Sequence, residues 1–195
     1  MDNIDKVKNA LECNNLEVLK SILNQDTINS CFIDEDGDSL LLYALSLSND
    51  DICDYLENLG ADAYAVNDLG ETIFHSIVYY GQIDRLKKYM GKHPNLVNQQ
   101  DYEGLTPLYL SLSLKKYDMF GVFLDFGADV NLADRYGGTP VHFCCIYGYE
   151  DHLNSLINKG ANIHTKTNDG DLPIAQAINN GHISIFKYLY EKFYR

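Results

Sequence analysis

Tryptophan is absent from the 195 residues, and no stretch approaches the roughly 20 apolar residues that cross a bilayer. The amino terminus, MDNIDKVKNALECNN, alternates charged and apolar residues and so has no secretory h-region. Cys13, Cys31, Cys53, Cys144 and Cys145 are odd in number, form no CxxC pair and lack the paired histidines of a zinc finger. That argues against a disulfide framework and against a metal site, and the thiols read as reduced core residues of a cytoplasmic protein. No GxxxxGK[ST], GxSxG or HExxH occurs, so phosphate cradles and zinc hydrolases have no support. Basic residues are scarce: 15 Lys and Arg face 28 Asp and Glu, a formal charge of -13. This balance repels nucleic acid and anionic membranes and makes a basic partner the natural complement. The missing tryptophan, with abundant Asn, Ile, Lys and Tyr, points to an AT-rich coding genome, bacterial or viral.

What is present is a chain 46% hydrophobic, long enough to bury a sizeable core. It repeats itself. A glycine in the setting D/N-x-x-G occurs at Gly37, Gly70, Gly104 and Gly137, and T-x-x-G continues it at Gly170, with spacings of 33, 34, 33 and 33. After the glycines come SLLLYA from Ser39, TIFHSI from Thr72, TPLYLS from Thr106, TPVHFC from Thr139 and LPIAQA from Leu172. Further on in each period stand LGAD at Leu59, FGAD at Phe126 and KGAN at Lys159. A fixed period overrides any element-by-element assignment.

These residues resemble the ankyrin repeat, with its D-x-x-G-x-T-P-L-H-x-A start, Gly-His turn, apolar second helix and G-A-x-x-N end. The resemblance covers almost the whole chain. It implies an all-α ankyrin-repeat solenoid of about six helix-turn-helix units, including amino- and carboxy-terminal capping repeats. Their expected bounds are 1–33, 34–66, 67–100, 101–133, 134–166 and 167–195, within a single domain spanning 1–195. In the first unit, Asn14 and Asn15 form the turn and Leu16 to Leu23 the second helix.

The physics of the pattern stands without the name. Thr106-Pro107 and Thr139-Pro140 supply a capping hydroxyl and a proline at the first helical position, where its missing N–H costs nothing. Ala44, Ser111, Cys144 and Ala177 fall where the first helix approaches its neighbour. Runs such as LNSLI from Leu153 give the second helix one apolar face, and stacking buries it. Departures mark local change. YMGKHPNLVN from Tyr89 lacks the Gly-Ala turn, which predicts a modified loop near His93 and Pro94. Lys115-Lys116 replaces Gly-His, at some cost in turn propensity.

Catalytic readings are weak. His75 and His142 occupy the TPLH position, where the resemblance implies an imidazole hydrogen-bonded to nearby loop and helix groups. They lie two repeats apart, too far to share a zinc ion at roughly 10 Å per repeat. His142, Cys144 and Cys145 do not make a base and nucleophile pair, because i and i+2 diverge on a helix and Cys144 sits in the buried slot. Asp50-Asp51 and Glu35-Asp36 fall in turns, where solvated acids are commoner than acid-base pairs. The expectation is a non-enzyme with no cofactor; a cryptic His/Cys site is the remote alternative.

What remains is surface. The resemblance implies that ligands meet the turn residues flanking the glycine and the exposed end of each first helix, on the concave face. The candidate partner-binding residues are Asp36 and Asp38; Asp68, Leu69 and Glu71; Tyr102, Glu103 and Leu105; Arg135 and Tyr136; Asp169 and Asp171, with Leu47, Tyr79, Tyr80, Leu114, Ile146 and Tyr147 from the helix ends. Eight of the fifteen turn positions, counting Glu35, Gly138 and Asn168, are acidic. Tyrosines and aliphatic residues gather in the middle repeats, giving a desolvated centre within a charged rim. The expected function is capture of a basic protein by a monomer. The specific forms are an immunity protein that neutralises a toxin and a host-directed adaptor or effector.

Overall fold

A computed structural model describes residues 3–29 and 36–194. Cys31, Glu35 and the seam between the first two expected repeats lie outside the described residues. The chain divides into two units, Met1–Tyr102 and Glu103–Arg195.

The first unit holds three helical hairpins: α1 (Asn3–Glu12) with α2 (Leu16–Ile22), α3 (Leu40–Ser46) with α4 (Asp50–Leu59), and α5 (Ile73–Tyr80) with α6 (Ile83–Lys92). Polar caps set the starts. Asn15 Oδ1 accepts the Val18 amide at 3.1 Å, Ser39 Oγ that of Leu42 at 3.3 Å and Asn49 Oδ1 that of Ile52 at 2.9 Å. Each satisfies an amide that the helix itself leaves orphaned. The first helices are the most deeply buried elements: Ile73 to Val78 of α5 are enclosed without interruption, and α3 packs against α5. Ala44 is fully buried at that contact.

The outer helices α4 and α6 are joined by a ladder of ion pairs, Asp50 to Arg85, Asp54 to Lys88 and Glu57 to Lys92. The rungs repeat every three or four residues, one helical turn each, so they align along both helices. Arg85 is the buried member, its guanidinium also donating to Gln82 Oε1 at 2.9 Å. After α6 the chain departs from the pattern, as expected: a short 3-10 turn at Pro94–Leu96 tucks Leu96 inside.

The second unit repeats the arrangement with α7 (Pro107–Ser113) and α8 (Tyr117–Asp125), α9 (Pro140–Tyr147) and α10 (Glu150–Asn158), α11 (Pro173–Asn179) and α12 (Ile183–Leu189). Proline opens α7, α9 and α11. Ser111, Cys144 and Ala177 are fully buried where α7, α9 and α11 meet. Twelve α-helices and no strand make up the described elements, so the fold is all-α.

Two local devices keep the hairpins in register. The residue that turns the chain between paired helices is left-handed in every hairpin: Asn14, Ser48, Gly81, Lys115, Gly148 and Gly181. Lys115, at φ 58°, adopts this backbone without glycine's freedom. The following residue can then reach the preceding hairpin: Gln82 Nε2 donates to the Leu45 carbonyl at 2.6 Å and His182 Nε2 to that of Ile146 at 2.9 Å. The long loops are likewise tied, through Asn29 to Gly60 and Asp62, and through Asn131 to Gly160 and Asn162.

Candidate functional site

The glycine turns project from the ends of the hairpins and hydrogen-bond to one another in series. In the first unit the Asp68 amide donates to the Asp36 carbonyl and the Tyr102 amide to that of Leu69, both at 2.9 Å. In the second, the Arg135 amide donates to the Glu103 carbonyl at 2.8 Å and the Asn168 amide to that of Tyr136 at 2.9 Å. The glycines permit this approach. A Cβ on Gly137 would lie 2.8 Å from the Asn168 backbone nitrogen, and φ there is 79°. Turn residues one repeat apart are therefore neighbours within each unit.

In the first unit six of the expected residues, Asp36, Asp38, Leu69, Glu71, Tyr79 and Tyr80, line one cleft of about 220 Å³. Asn67 organises its acidic wall: its side-chain amide donates to Asp38 at 3.1 Å and Glu71 at 2.9 Å, while its oxygen accepts the Leu69 and Glu71 amides. Tyr79 and Tyr80 meet edge to face at 5.3 Å and form the aromatic wall. Partial burial, and next the charge of Asp38, push the Tyr80 phenol above its ordinary pKa. Tyr102 is 70% exposed and lies over Gly70, while Leu47 and Asp68 stand outside the cleft.

The second unit differs. Arg135 is engaged by its own neighbours: it pairs with Glu103 at 2.6 Å, donates to the Tyr136 hydroxyl at 2.6 Å and lies 4.8 Å from that ring. Tyr147 is exposed and begins a run of aromatic contacts, Phe143 at 4.4 Å and Tyr149 at 6.2 Å, with Tyr109 beyond Phe143 and Tyr117 beyond Tyr149. Leu114 is exposed at the end of α7, whereas Leu105 and Ile146 are half-buried. Asp169 is exposed. Asp171 is tied down, its carboxylate accepting from Gln176 at 2.9 Å and its carbonyl from His142 at 3.2 Å.

The remaining chemistry-bearing residues serve the fold. Nδ1 of His75 accepts the Thr72 amide at 3.2 Å, and Nδ1 of His142 the Thr139 amide at 3.1 Å. Burial lowers the pKa of His142, which favours the neutral ring that this bonding requires. Cys53, Cys144 and Cys145 are buried, and burial pushes the Cys145 thiol up to about 12, the opposite of an activated nucleophile. Cys13 corrects the expectation of uniformly buried thiols: it opens the turn after α1, exposed, its thiol 3.1 Å from Asn9 Oδ1. Among the described residues no group of three His, Cys, Asp or Glu side chains is placed to hold a metal ion. None of the described helices is long and apolar enough to cross a membrane.

Charge is divided unevenly: 18 acidic and 7 basic residues stand up to Tyr102, against 10 and 8 beyond it. The turns alone do not expose this, because many of the excess acids, such as Asp50, Asp51 and Asp54, lie in α4. The pattern of turns and helix ends also passes over Ser76 and Asn67. A signal for Ser76 is present, since the same repeat position holds Tyr43, Leu110, Phe143 and Gln176 elsewhere.

The family model for ankyrin repeats (3 copies) matches residues 74–167 and 122–194, and the chain belongs to the ankyrin repeat family. Ankyrin repeats are in general protein–protein interaction modules. A Saccharomyces cerevisiae protein, target of rapamycin complex 2 subunit AVO2, is 27% identical over 91% of this chain and 44% of its own length. Ankyrin repeat protein OPG189 of Variola virus is 30% identical over 77% of this chain and 28% of its own. Inversin of Canis lupus familiaris is 27% identical over 75% of this chain and 14% of its own. The chain thus spans less than half the length of each of these relatives.

Proposed function

We propose that this chain binds a protein with a basic surface, using the glycine turns and first-helix ends of its repeats, as a monomer and without cofactor or chemistry of its own. The observation that supports this reading best lies in the first unit, where Tyr79, 59% exposed, lines a cleft with the half-buried carboxylates of Asp38 and Glu71; in the second unit Tyr147 is 56% exposed at the end of α9. Tyrosine gives large contact area at small entropic cost, and neighbouring carboxylates select a cationic counterpart. The acidic excess of the first unit would steer such a partner on approach and repel nucleic acid. The name of the yeast relative, a complex subunit, supports an adaptor that holds a partner within an assembly, a broader role than the host-directed adaptor or effector. That favours it over the immunity form, in which the chain would plug a toxin.

The test is capture of partners by the immobilised full chain, followed by association rates across ionic strength. Raising salt from about 50 to about 500 mM should slow association roughly tenfold if the acids steer the partner. A salt-independent rate removes the electrostatic half of the reading.

A further inference from the structure

The cleft of the first unit has a cause in the sequence. In other repeats the fifth residue of the SLLLYA or TPLYLS run is large: Tyr43, Leu110, Phe143 or Gln176. In the α5 repeat it is Ser76, and the missing side chain leaves the space between the Asn67-Glu71 turn and the end of α5. Ser76 is only 7% exposed, and its hydroxyl lines the cleft without a hydrogen-bond partner among the described residues. The hydroxyl opens onto the cleft, so a group that enters can hydrogen-bond to it.

The walls say what kind of group would. Asp38 and Glu71, held by Asn67, present carboxylates on one side, and Tyr79 and Tyr80 present rings on the other. Among the described residues no third His, Cys, Asp or Glu joins them to make a group that could hold a metal ion. A compact ion therefore gains little, whereas a broad planar cation can bridge the acids while stacking on a ring. Guanidinium has five donors in a fixed fork, is weakly hydrated and stacks on aromatic faces; ammonium is compact and strongly hydrated.

We propose that this cleft receives the guanidinium of one arginine side chain of the partner, held by Asp38 and Glu71 against Tyr79 and Tyr80, with the Ser76 hydroxyl as an added acceptor. The proposal rests on the partner-binding reading and gives it a specific anchor. Ser76 decides it, because a residue of the size found in the other repeats would fill the space.

The test titrates capped arginine, capped lysine and capped citrulline into the isotopically labelled full chain and follows backbone amide resonances. Arginine should give saturable shifts at Glu71, Ser76, Tyr79 and Tyr80. Lysine should bind at least about threefold more weakly, and citrulline, lacking the charge, should give no saturable shift. Ser76→Tyr should abolish the arginine response and Glu71→Gln weaken it about tenfold. Tyr79→Ala, at an exposed position that bears no core load, should weaken it too, with helical content unchanged. Absent saturation by arginine, lysine or citrulline binding equally well, or full binding by Ser76→Tyr overturns the proposal. A protein captured through Tyr147 while capped arginine stays silent would sink the cleft and leave the interaction reading standing. Arginine binding in the cleft with no protein captured would do the reverse.

Discussion

Gly148 and Gly181 turn the chain in successive hairpins with nearly the same backbone, φ 77° and 79°, yet their surroundings differ. A Cβ on Gly181 meets nothing within 4 Å, whereas one on Gly148 would sit 2.6 Å from Cε1 and Nδ1 of His182. That imidazole donates from Nε2 to the Ile146 carbonyl at 2.9 Å, so it cannot move aside without losing the bond. Gly181→Ala should therefore cost only the left-handed penalty, about 1 kcal/mol. Gly148→Ala adds the displaced ring and the hydrogen bond, for a total of about 2–3 kcal/mol. For a chain of this size the difference corresponds to a thermal midpoint about 2–8 °C lower for Gly148→Ala. Thermal unfolding followed by circular dichroism of both variants measures it. Equal midpoints would refute the idea that this turn is constrained by contact between hairpins rather than by its own backbone.

Lys115→Gly should act in the opposite sense, raising stability by about 1 kcal/mol in urea unfolding, since Lys115 is exposed and holds φ 58°; destabilisation would mean the lysine has a role that its geometry does not reveal. Iodoacetamide at neutral pH, mapped by peptide mass, should modify Cys13 readily and leave Cys53, Cys144 and Cys145 untouched until the chain unfolds. The same burial predicts alkaline sensitivity. Cys53 and Cys145 are raised from 9.0 to about 12, so below pH 9 folded and unfolded thiols are both protonated and stability is unaffected. Above it the unfolded thiol ionises first, and each of the two should subtract about 1.4 kcal/mol per pH unit up to about pH 12. A flat stability profile from pH 9 to 11 would contradict that.

The period of 33 residues made the hairpins legible, because a stack keeps register when equivalent residues recur at equivalent contacts, and a small residue recurs at this contact in four of the five glycine-led repeats, Ile77 taking it in the α5 repeat. Ala44, Ser111, Cys144 and Ala177 were readable as the close-packed slot for that reason, and all four are fully buried. The irregular loop at Pro94 was readable from the broken motif. Surface pairing was not. Nothing in the turn sequence around Arg135 says that it will be occupied by Glu103, 32 positions earlier, because that pairing exists only once the two turns stand side by side. The cleft escaped for a related reason: it is a missing volume, and a serine reads as polar surface until the side chains that surround it are placed. Cys13 escaped because apolar character alone does not separate a core position from the end of a helix.

The claim on which the function depends is that the exposed tyrosines form the contact with a protein partner. Replacing Tyr79 and Tyr147 together by alanine and measuring the dissociation constant for a captured partner addresses it most directly. Both side chains are more than half exposed, so the thermal midpoint should hardly move. Affinity should fall by about 2–4 kcal/mol, on the order of 30- to 1000-fold, mainly through faster dissociation. An unchanged dissociation constant in a folded double variant would contradict the account.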